Sequence, residues 1–161
     1  MNPTIRHYIH SDQEHVVQLS LRAWAPVFAS AERVLGAKLF GIFYGGDWRA
    51  HQAKAVRDVL TDPKNSVWVA AVERAAVGFV AAAVHSDNLV GEVVMLAVDP
   101  GQQQRGIGTA LTQHATDWFR SSGMRMAVVE TGGDPGHAPA RRAYEKAMYT
   151  PWPLVRYFQA L

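Results

Sequence analysis

The chain has 161 residues, 48% of them hydrophobic, and carries a formal net charge of only +2. These values predict one folded domain with a sizeable core and exclude a disordered chain. No basic run with interleaved aromatic residues occurs, which argues against a nucleic-acid-binding face. Cysteine is absent, so disulfides, thiolate metal sites and a cysteine nucleophile are excluded.

The sequence contains no apolar run that approaches the length of a membrane span. Its N-terminal stretch lacks the apolar core of a secretory signal peptide. The histidines show no spacing typical of metal ligands. We therefore expect a cytoplasmic protein with no membrane association and no metal.

The N-terminal part of the chain predicts a short strand followed by a helix. Residues 4–9 form the candidate strand. Ser11, with Glu14 three residues later, matches a capping box. The helix is expected to run from Gln13 to Trp24 and to end at Pro26.

Residues 25–46 form a variable helical segment rich in aromatic side chains, and residues 47–60 predict a further helix. Such aromatic side chains either line a substrate pocket or pack in the core and between helices. The aromatic residues in and beside this segment are Trp24, Phe28, Phe40, Phe43, Tyr44 and Trp48. Both interpretations stay open, with packing favoured for most of these residues.

Three strands are expected in the middle of the chain, over residues 66–73, 76–85 and 93–98. They are joined by a tight connection near residues 74–75 and by turn residues at 86–91. Short connections between strands predict an antiparallel meander. Gly78 is expected where two backbones approach closely.

A turn and a helix follow the third of these strands. Residues 99–101, Asp-Pro-Gly, stop the strand, and from Ile107 the apolar residues recur at spacings of three and four, which is typical of one helical face. The first turn of a helix carries unpaired backbone N–H groups and partial positive charge. Gly106 and Gly108 let a bulky anion reach them, and Arg105 adds a formal charge, so a phosphate or pyrophosphate is the expected ligand.

Two common phosphate-binding motifs are excluded by the residues at this turn. For a P-loop, Ile107 stands where lysine is needed and Gly108 where serine or threonine is needed. For a dinucleotide fingerprint, Leu111 replaces the third glycine, and no βαβ unit with an acidic ribose ligand follows.

The C-terminal part predicts a strand over residues 124–131, a flexible loop, a helix over 139–148 and a last strand over 154–161. The strand at 124–131 should run parallel to that at 93–98 through the helical crossover. The fold class is therefore α/β (α+β), a mixed central sheet with helices on both faces.

Two motifs resemble the GNAT superfamily of acyl-CoA N-acyltransferases. Residues 103–108, Gln-Gln-Arg-Gly-Ile-Gly, resemble its Gln/Arg-x-x-Gly-x-Gly/Ala signature, and the preceding strand resembles its fourth strand. Residues 137–146 resemble its Asn-x-x-Ala-x-x-x-Tyr-Glu-Lys helix. His137 departs from the usual asparagine, and Met148-Tyr149 departs from the usual Gly-Phe.

The resemblance implies a single domain over residues 1–161, with an acceptor-side part at 1–65 and an acyl-CoA-binding core at 66–161. It implies an acetyl-CoA-dependent N-acetyltransferase that moves an acetyl group directly to a primary amine of a small molecule or protein. The alternative is a non-catalytic acyl-CoA-binding sensor or interaction module. Acetyl-CoA is the expected co-substrate and an amine the acceptor, and a homodimer through the last strands is an option that the family offers.

The same resemblance assigns roles to individual residues. Tyr144 is the candidate acid for the leaving thiolate. Glu92 is the candidate base, with Glu130 as its rival. The backbone of residues 96–98 should bind the pantetheine arm as an added strand, with the N–H of Val98 preferred for polarising the thioester. The full set of candidate cofactor-binding residues is Leu96, Ala97, Val98, Gln103, Gln104, Arg105, Gly106, Ile107, Gly108, Thr109, His137 and Tyr144.

Overall fold

The computed structural model describes residues 3–161. Five strands and four α-helices are present in this part of the chain. In chain order they are β1 Thr4–His7, α1 Gln13–Tyr44, α2 Trp48–Thr61, β2 Ser66–Val72, β3 Ala75–His85, β4 Val90–Val98, α3 Ile107–Ser121, β5 Met126–Val129 and α4 Ala138–Lys146. None of the helices among these residues is long and apolar enough to cross a membrane.

The strands form one sheet in the order β1-β2-β3-β4-β5. Neighbouring strands are antiparallel from β1 to β4, whereas β4 and β5 are parallel. The parallel pair is joined through α3, as a crossover connection requires. The predicted meander, the parallel last pair and the mixed sheet are therefore confirmed.

Each face of the sheet is covered by helices. On one face, Val16 and Leu19 of α1 and Val56 of α2 pack against Phe79 and other buried residues of β3. On the other face, the apolar side of α3 packs against β3 and β4, with Leu111 and Phe119 completely or almost completely buried. Burying an apolar side chain of this size contributes about 1.5–3 kcal/mol, so the two layers hold the central strands rigidly in place.

The prediction that the first helix ends at Pro26 is wrong. Helix α1 continues through Pro26 to Tyr44, and its dihedral angles become non-helical only at Gly36, where φ is 77°. A proline inside a helix removes one hydrogen bond, but Phe28, Ser30 and Phe40 beyond it are buried. Their packing holds the helix together past the missing bond.

The predicted capping box is also absent. The residue preceding α1 is Asp12, and no side chain caps this helix. The Asp12 carboxylate accepts hydrogen bonds from the guanidinium of Arg6, at 2.7 and 2.8 Å, and from the backbone N–H of Ile9. It therefore ties β1 to the start of α1 in place of a cap from Ser11.

The predicted last strand at 154–161 does not form. After α4 the chain is irregular, and its apolar side chains are largely exposed. A strand needs a neighbouring edge to which its N–H and C=O groups can bond. The last segment has no such neighbour within residues 3–161. The exposed side chains are Trp152, Leu154, Val155, Tyr157, Phe158 and Leu161.

Candidate active site

Strands β4 and β5 separate partway along their length. They pair only from Val90 with Met126 to Val93 with Val129. On the β3 side, Val93 is opposite Ala82 and Met95 is opposite Ala81, so Val94 is an extra, bulged residue. Bulges bend a strand and increase its twist. From Val94 onward the edge of β4 that faces β5 has no strand partner, which leaves a cleft between the two strands.

Along this cleft the backbone N–H and C=O groups of successive β4 residues point alternately toward β3 and into the cleft. The N–H of Asp99 donates to the carbonyl of Val77 on β3 at 2.9 Å. Because alternate residues of an antiparallel strand bond to the same neighbour, Ala97 also directs its N–H and C=O toward β3. Leu96 and Val98 direct theirs into the cleft, where an extended ligand can bind them as a further strand would.

The loop after β4 is shaped by side-chain bonds and a left-handed residue. The amide nitrogen of Gln103 donates to the carbonyl of Val98 at 3.1 Å, so this side chain closes the end of β4. Gly106 precedes α3 with a φ of 79°, and no side chain caps the helix. The backbone N–H groups of Ile107, Gly108 and Thr109 therefore lie at a bare helix N-terminus, which is an anion-binding arrangement.

Two contacts fix this loop relative to the sheet and to α1. A Cβ added to Gly78 would lie 3.1 Å from the carbonyl oxygen of Ala97, so the predicted close approach of β3 and β4 is present. The carboxylate of Asp99 accepts from the N–H of Gly101 and forms an ion pair with Arg22. Burial opposes ionisation of Asp99, but hydrogen bonding from Arg22 and Gly101 outweighs it and lowers the pKa of this carboxyl.

Tyr144 lies on α4 with its ring half-buried. Burial raises the pKa of its phenol to about 12, with a further contribution from Tyr149. The ring of Tyr149 lies 6.1 Å away between centroids, and its hydroxyl is 3.0 Å from the hydroxyl oxygen of Thr116 on α3. Tyr144 is therefore a neutral hydrogen-bond donor at physiological pH, and its neighbour Tyr149 contacts α3.

The two candidate bases occupy different places. Glu92 lies on β4 opposite Ala83 and Val128, two residues before the bulge, and its Oε2 is 2.8 Å from Nε2 of His85. Glu130 is exposed just beyond the end of β5. Glu92 therefore has a defined hydrogen-bond partner beside the cleft, whereas Glu130 lies past the last residue of β5.

His137 belongs to a hydrogen-bond network that links the loop before α4 to helix α1. Its Nδ1 contacts the carboxylate of Asp134, which also accepts from the buried hydroxyl of Ser30 at 2.5 Å and from the N–H of Gly136 at 3.0 Å. Burial opposes ionisation of Asp134, but these hydrogen bonds lower its pKa overall. Arg141 binds the carbonyls of Gly132 and Asp134, so the loop is held from both sides.

The aromatic segment serves mainly as packing. Phe28 and Phe40 are buried, and the ring of Phe28 stacks on that of Trp48 with 4.4 Å between the ring centroids. Tyr44 lies edge-on to Phe28 at 4.9 Å. Burial raises the pKa of Tyr44, as does the nearby charge of Asp134. The half-buried rings of Tyr44 and Trp48 lie at the rim of this cluster, on the side of the loop before α4.

Sequence reasoning missed several residues that shape the site. Arg22, Ser30, His85 and Thr116 contact residues that lie between 7 and 104 positions away in the chain; their partners are Asp99, Asp134, Glu92 and Tyr149. Only the pairing of His85 with Glu92 had a signal in the sequence, because two strands joined by a short turn bring their ends together. The other pairs depend on how helices pack on the sheet.

The chain belongs to the acetyltransferase (GNAT) family, whose model matches residues 36–148. The matched region contains the bulged strand, the glycine loop, α3 and α4. The resemblance predicted from the two motifs is therefore confirmed.

Individual relatives cover the chain to different extents. A mycothiol acetyltransferase of Beutenbergia cavernae is 42% identical over 65 residues, which are 40% of this chain and 21% of that protein. This chain covers at most 38% of the length of each of the four curated mycothiol acetyltransferases to which it is similar.

The similar solved structures share the fold over nearly the whole chain. The aminoglycoside N-acetyltransferase AAC(6')-Iy, solved with a bisubstrate analogue, has a TM-score of 0.67 and 17% identity, with coverage of 100% of this chain and 99% of that one. The BH1408 protein of Bacillus halodurans has a TM-score of 0.75 and 14% identity, with coverage of 98% and 99%. At these identities the likeness establishes the fold.

Proposed function

We propose that this protein is an acetyl-CoA-dependent N-acetyltransferase that moves an acetyl group to a primary amine. The observation that carries the proposal is the cleft beside β4, which ends at the bare N-terminus of α3. An extended chain with a pyrophosphate at one end matches this arrangement: the cleft offers strand-like hydrogen bonds and the helix offers N–H groups for an anion. Family membership and the relatives named as acetyltransferases support the same reaction.

In this proposal the pyrophosphate of acetyl-CoA binds the backbone of residues 103–109, beside Arg105. Gln103 contributes through its backbone, since its side chain is engaged with Val98. The pantetheine arm then runs along Leu96 and Val98, which direct their backbone groups into the cleft. The thioester lies at the far end of this arm from the pyrophosphate, so the N–H of Leu96, one step nearer the bulge than Val98, is better placed to polarise its carbonyl.

The proposed chemistry is direct transfer. The ammonium group of the acceptor loses a proton to Glu92, the nitrogen forms a bond to the acetyl carbon, and the carbon–sulfur bond breaks. The second nitrogen proton passes to solvent as the amide forms. The departing thiolate accepts a hydrogen bond from the phenol of Tyr144 and then takes a proton from solvent. Holding both substrates together makes a covalent enzyme intermediate unnecessary. Glu130 remains the alternative base. The acceptor amine is proposed to bind on the side of the cleft where the rings of Tyr44 and Trp48 lie.

Calorimetric titration with acetyl-CoA tests the proposal. Gly106→Glu places a carboxylate at the helix N-terminus and a side chain at a left-handed residue, so acetyl-CoA binding should be lost. Gly123→Glu is the matched control, because Gly123 has the same φ of 79° and equally open surroundings, but lies at the other end of α3. Binding that survives in Gly106→Glu would place the cofactor elsewhere.

Release of free thiol in the presence of a panel of amines then separates the two functional classes. The enzyme releases CoA with at least one amine. Binding of acetyl-CoA without release of thiol by any amine would favour a non-catalytic acyl-CoA sensor. The acceptor classes worth including are suggested by the names of the relatives: an aminoglycoside and an amine related to mycothiol.

We further propose that two copies of the chain associate through the exposed segment at 152–161. Its apolar side chains form a surface larger than isolated exposed residues explain, and Phe158 contacts Phe43 edge-on at 4.7 Å. On the edge strand β5, Met126 and Val128 are also exposed. Sedimentation should show the intact chain as a dimer and the chain truncated after residue 150 as a monomer. The same oligomeric state for both would contradict the proposal. A cytoplasmic location stays a prediction of the sequence.

A further inference from the structure

The side chains of His85 and Glu92 meet on the face of the sheet that α1 and α2 cover. His85 ends β3 and Glu92 lies on β4, and their side chains reach across the ladder to place Nε2 and Oε2 2.8 Å apart. Both side chains are 44% exposed, so the pair is open to a bound molecule. One carboxylate oxygen, Oε1, is left without a contact from His85.

The position of the pair follows from the alternation of β4. Gly91 and Val93 face α3: a Cβ on Gly91 would overlap the ring of Phe119, and Val93 belongs to the cluster formed with α3. Glu92, between them, therefore points to the opposite face. It lies two residues before the bulge at Val94, at the point where the cleft opens.

The other ionisable side chains near this face are engaged elsewhere or exposed. Along α1, Glu14 pairs with Arg57 of α2 and Arg22 pairs with Asp99. Glu32, Arg33 and Lys38 are exposed on α1, and Lys54 and Asp58 pair with each other on α2.

On the neighbouring strand β5, Met126 and Val128 face the same way as Glu92, and Glu130 follows past the end of the strand. Next to β3 and β4, Asp87 lies in the turn that joins them and Arg125 precedes β5.

We propose that His85 is a positioning residue of the acyl transfer. This rests on the proposed function. The Nε2–H of His85 donates to Oε2 of Glu92 and fixes the carboxylate plane, so Oε1 is presented to the acceptor amine at the mouth of the cleft. Oε1 takes the proton that the ammonium group loses, while Oε2 keeps its hydrogen bond. Without His85 the carboxylate rotates freely and spends less time in the orientation that accepts the proton.

Four variants test this: His85→Ala, His85→Gln, Glu92→Gln and the double variant His85→Ala with Glu92→Gln. A lost hydrogen bond to a charged group predicts that His85→Ala lowers kcat about tenfold with no change in KM for acetyl-CoA. His85→Gln, whose amide nitrogen sits where Nε2 does, should recover most of the loss. In the Glu92→Gln background, His85→Ala should have no further effect.

The controls separate positioning from folding. His10→Ala, an exposed histidine far along the chain from the pair, should leave kcat unchanged, and melting temperatures report whether each variant folds. Wild-type kcat in His85→Ala overturns the inference, as does an equal loss with and without Glu92. Those results leave the proposed function standing. A wild-type protein that releases no thiol with any amine overturns both.

Discussion

Replacing Tyr144 with phenylalanine removes one hydroxyl and tests the most specific chemical role in the site. Burial raises the pKa of this phenol to about 12, whereas a thiol has a reference pKa of about 8.5. Complete proton transfer from the phenol to a free thiolate is therefore uphill by about 3.5 pKa units, or about 5 kcal/mol at 1.36 kcal/mol per unit. The same burial that keeps Tyr144 protonated thus makes it a weak acid but a good hydrogen-bond donor.

The expected magnitude follows from that distinction. A hydrogen bond to a charged group contributes about 1.5–3 kcal/mol, which corresponds to a loss of about 10- to 150-fold in kcat for Tyr144→Phe. Acetyl-CoA affinity should stay near the wild-type value, because the ring and its packing remain. With a pKa near 12, Tyr144 also predicts no loss of activity through its own ionisation between pH 7 and about 10.

The assay is thiol release at saturating acetyl-CoA and amine, with affinity measured separately by calorimetry. Tyr149→Phe is the matched control: it removes a hydroxyl that is 3.0 Å from Thr116 but leaves Tyr144 in place, and kcat should change less than threefold, or by less than about 0.7 kcal/mol. An unchanged kcat in Tyr144→Phe refutes the role. A loss beyond about 10⁴-fold refutes the hydrogen-bond argument and indicates complete proton transfer.

Two further predictions concern stability. Gly91→Ala forces a Cβ into the ring of Phe119 and should lower the free energy of unfolding by about 1–3 kcal/mol. Gly133→Ala, with open surroundings, should change it little, and similar denaturation midpoints for the two variants would contradict the packing. Hydrogen bonding from Arg6 lowers the pKa of Asp12, so this carboxylate stabilises the fold above its unfolded pKa of about 3.9 and stops doing so as pH falls through the lower folded value. Asp12→Asn should therefore be less stable than wild type at pH 7, with a difference that shrinks below about pH 4. A difference that does not vary with pH would show that the ion pair is not its source.

The local pattern of the sequence predicted most of the elements and the glycine loop. Strand β4, the turn at 99–101 and α3 follow from short-range signals: β-branched runs, turn residues and apolar spacing. The two motifs were enough to identify the family, because both lie inside single elements or their adjoining loops. The site residues that they imply stay predictions to be tested by the variants above.

The sequence predicted less where packing overrides local preference. Pro26 is a helix breaker in isolation, yet buried Phe28 and Ser30 hold the helix past it. The segment at 154–161 is rich in apolar and aromatic residues, which favours a strand, but a strand also needs a neighbouring edge, and no local signal reports that. Likewise the contact between Ser30 and Asp134 spans 104 positions and depends on the docking of α1 against the loop.

The bulge in β4 has a consequence for how this fold can change. Val93 faces α3, Val94 and Met95 both pack toward α1 and α2, and Leu96 faces α3 again. Loss of the single codon for Val94 would thus leave every remaining side chain on its present face and its present β3 partner. The result would be an uninterrupted strand that β5 is free to follow further. A deletion of one residue is therefore enough to close the cleft, and it would leave the packing of the core unchanged.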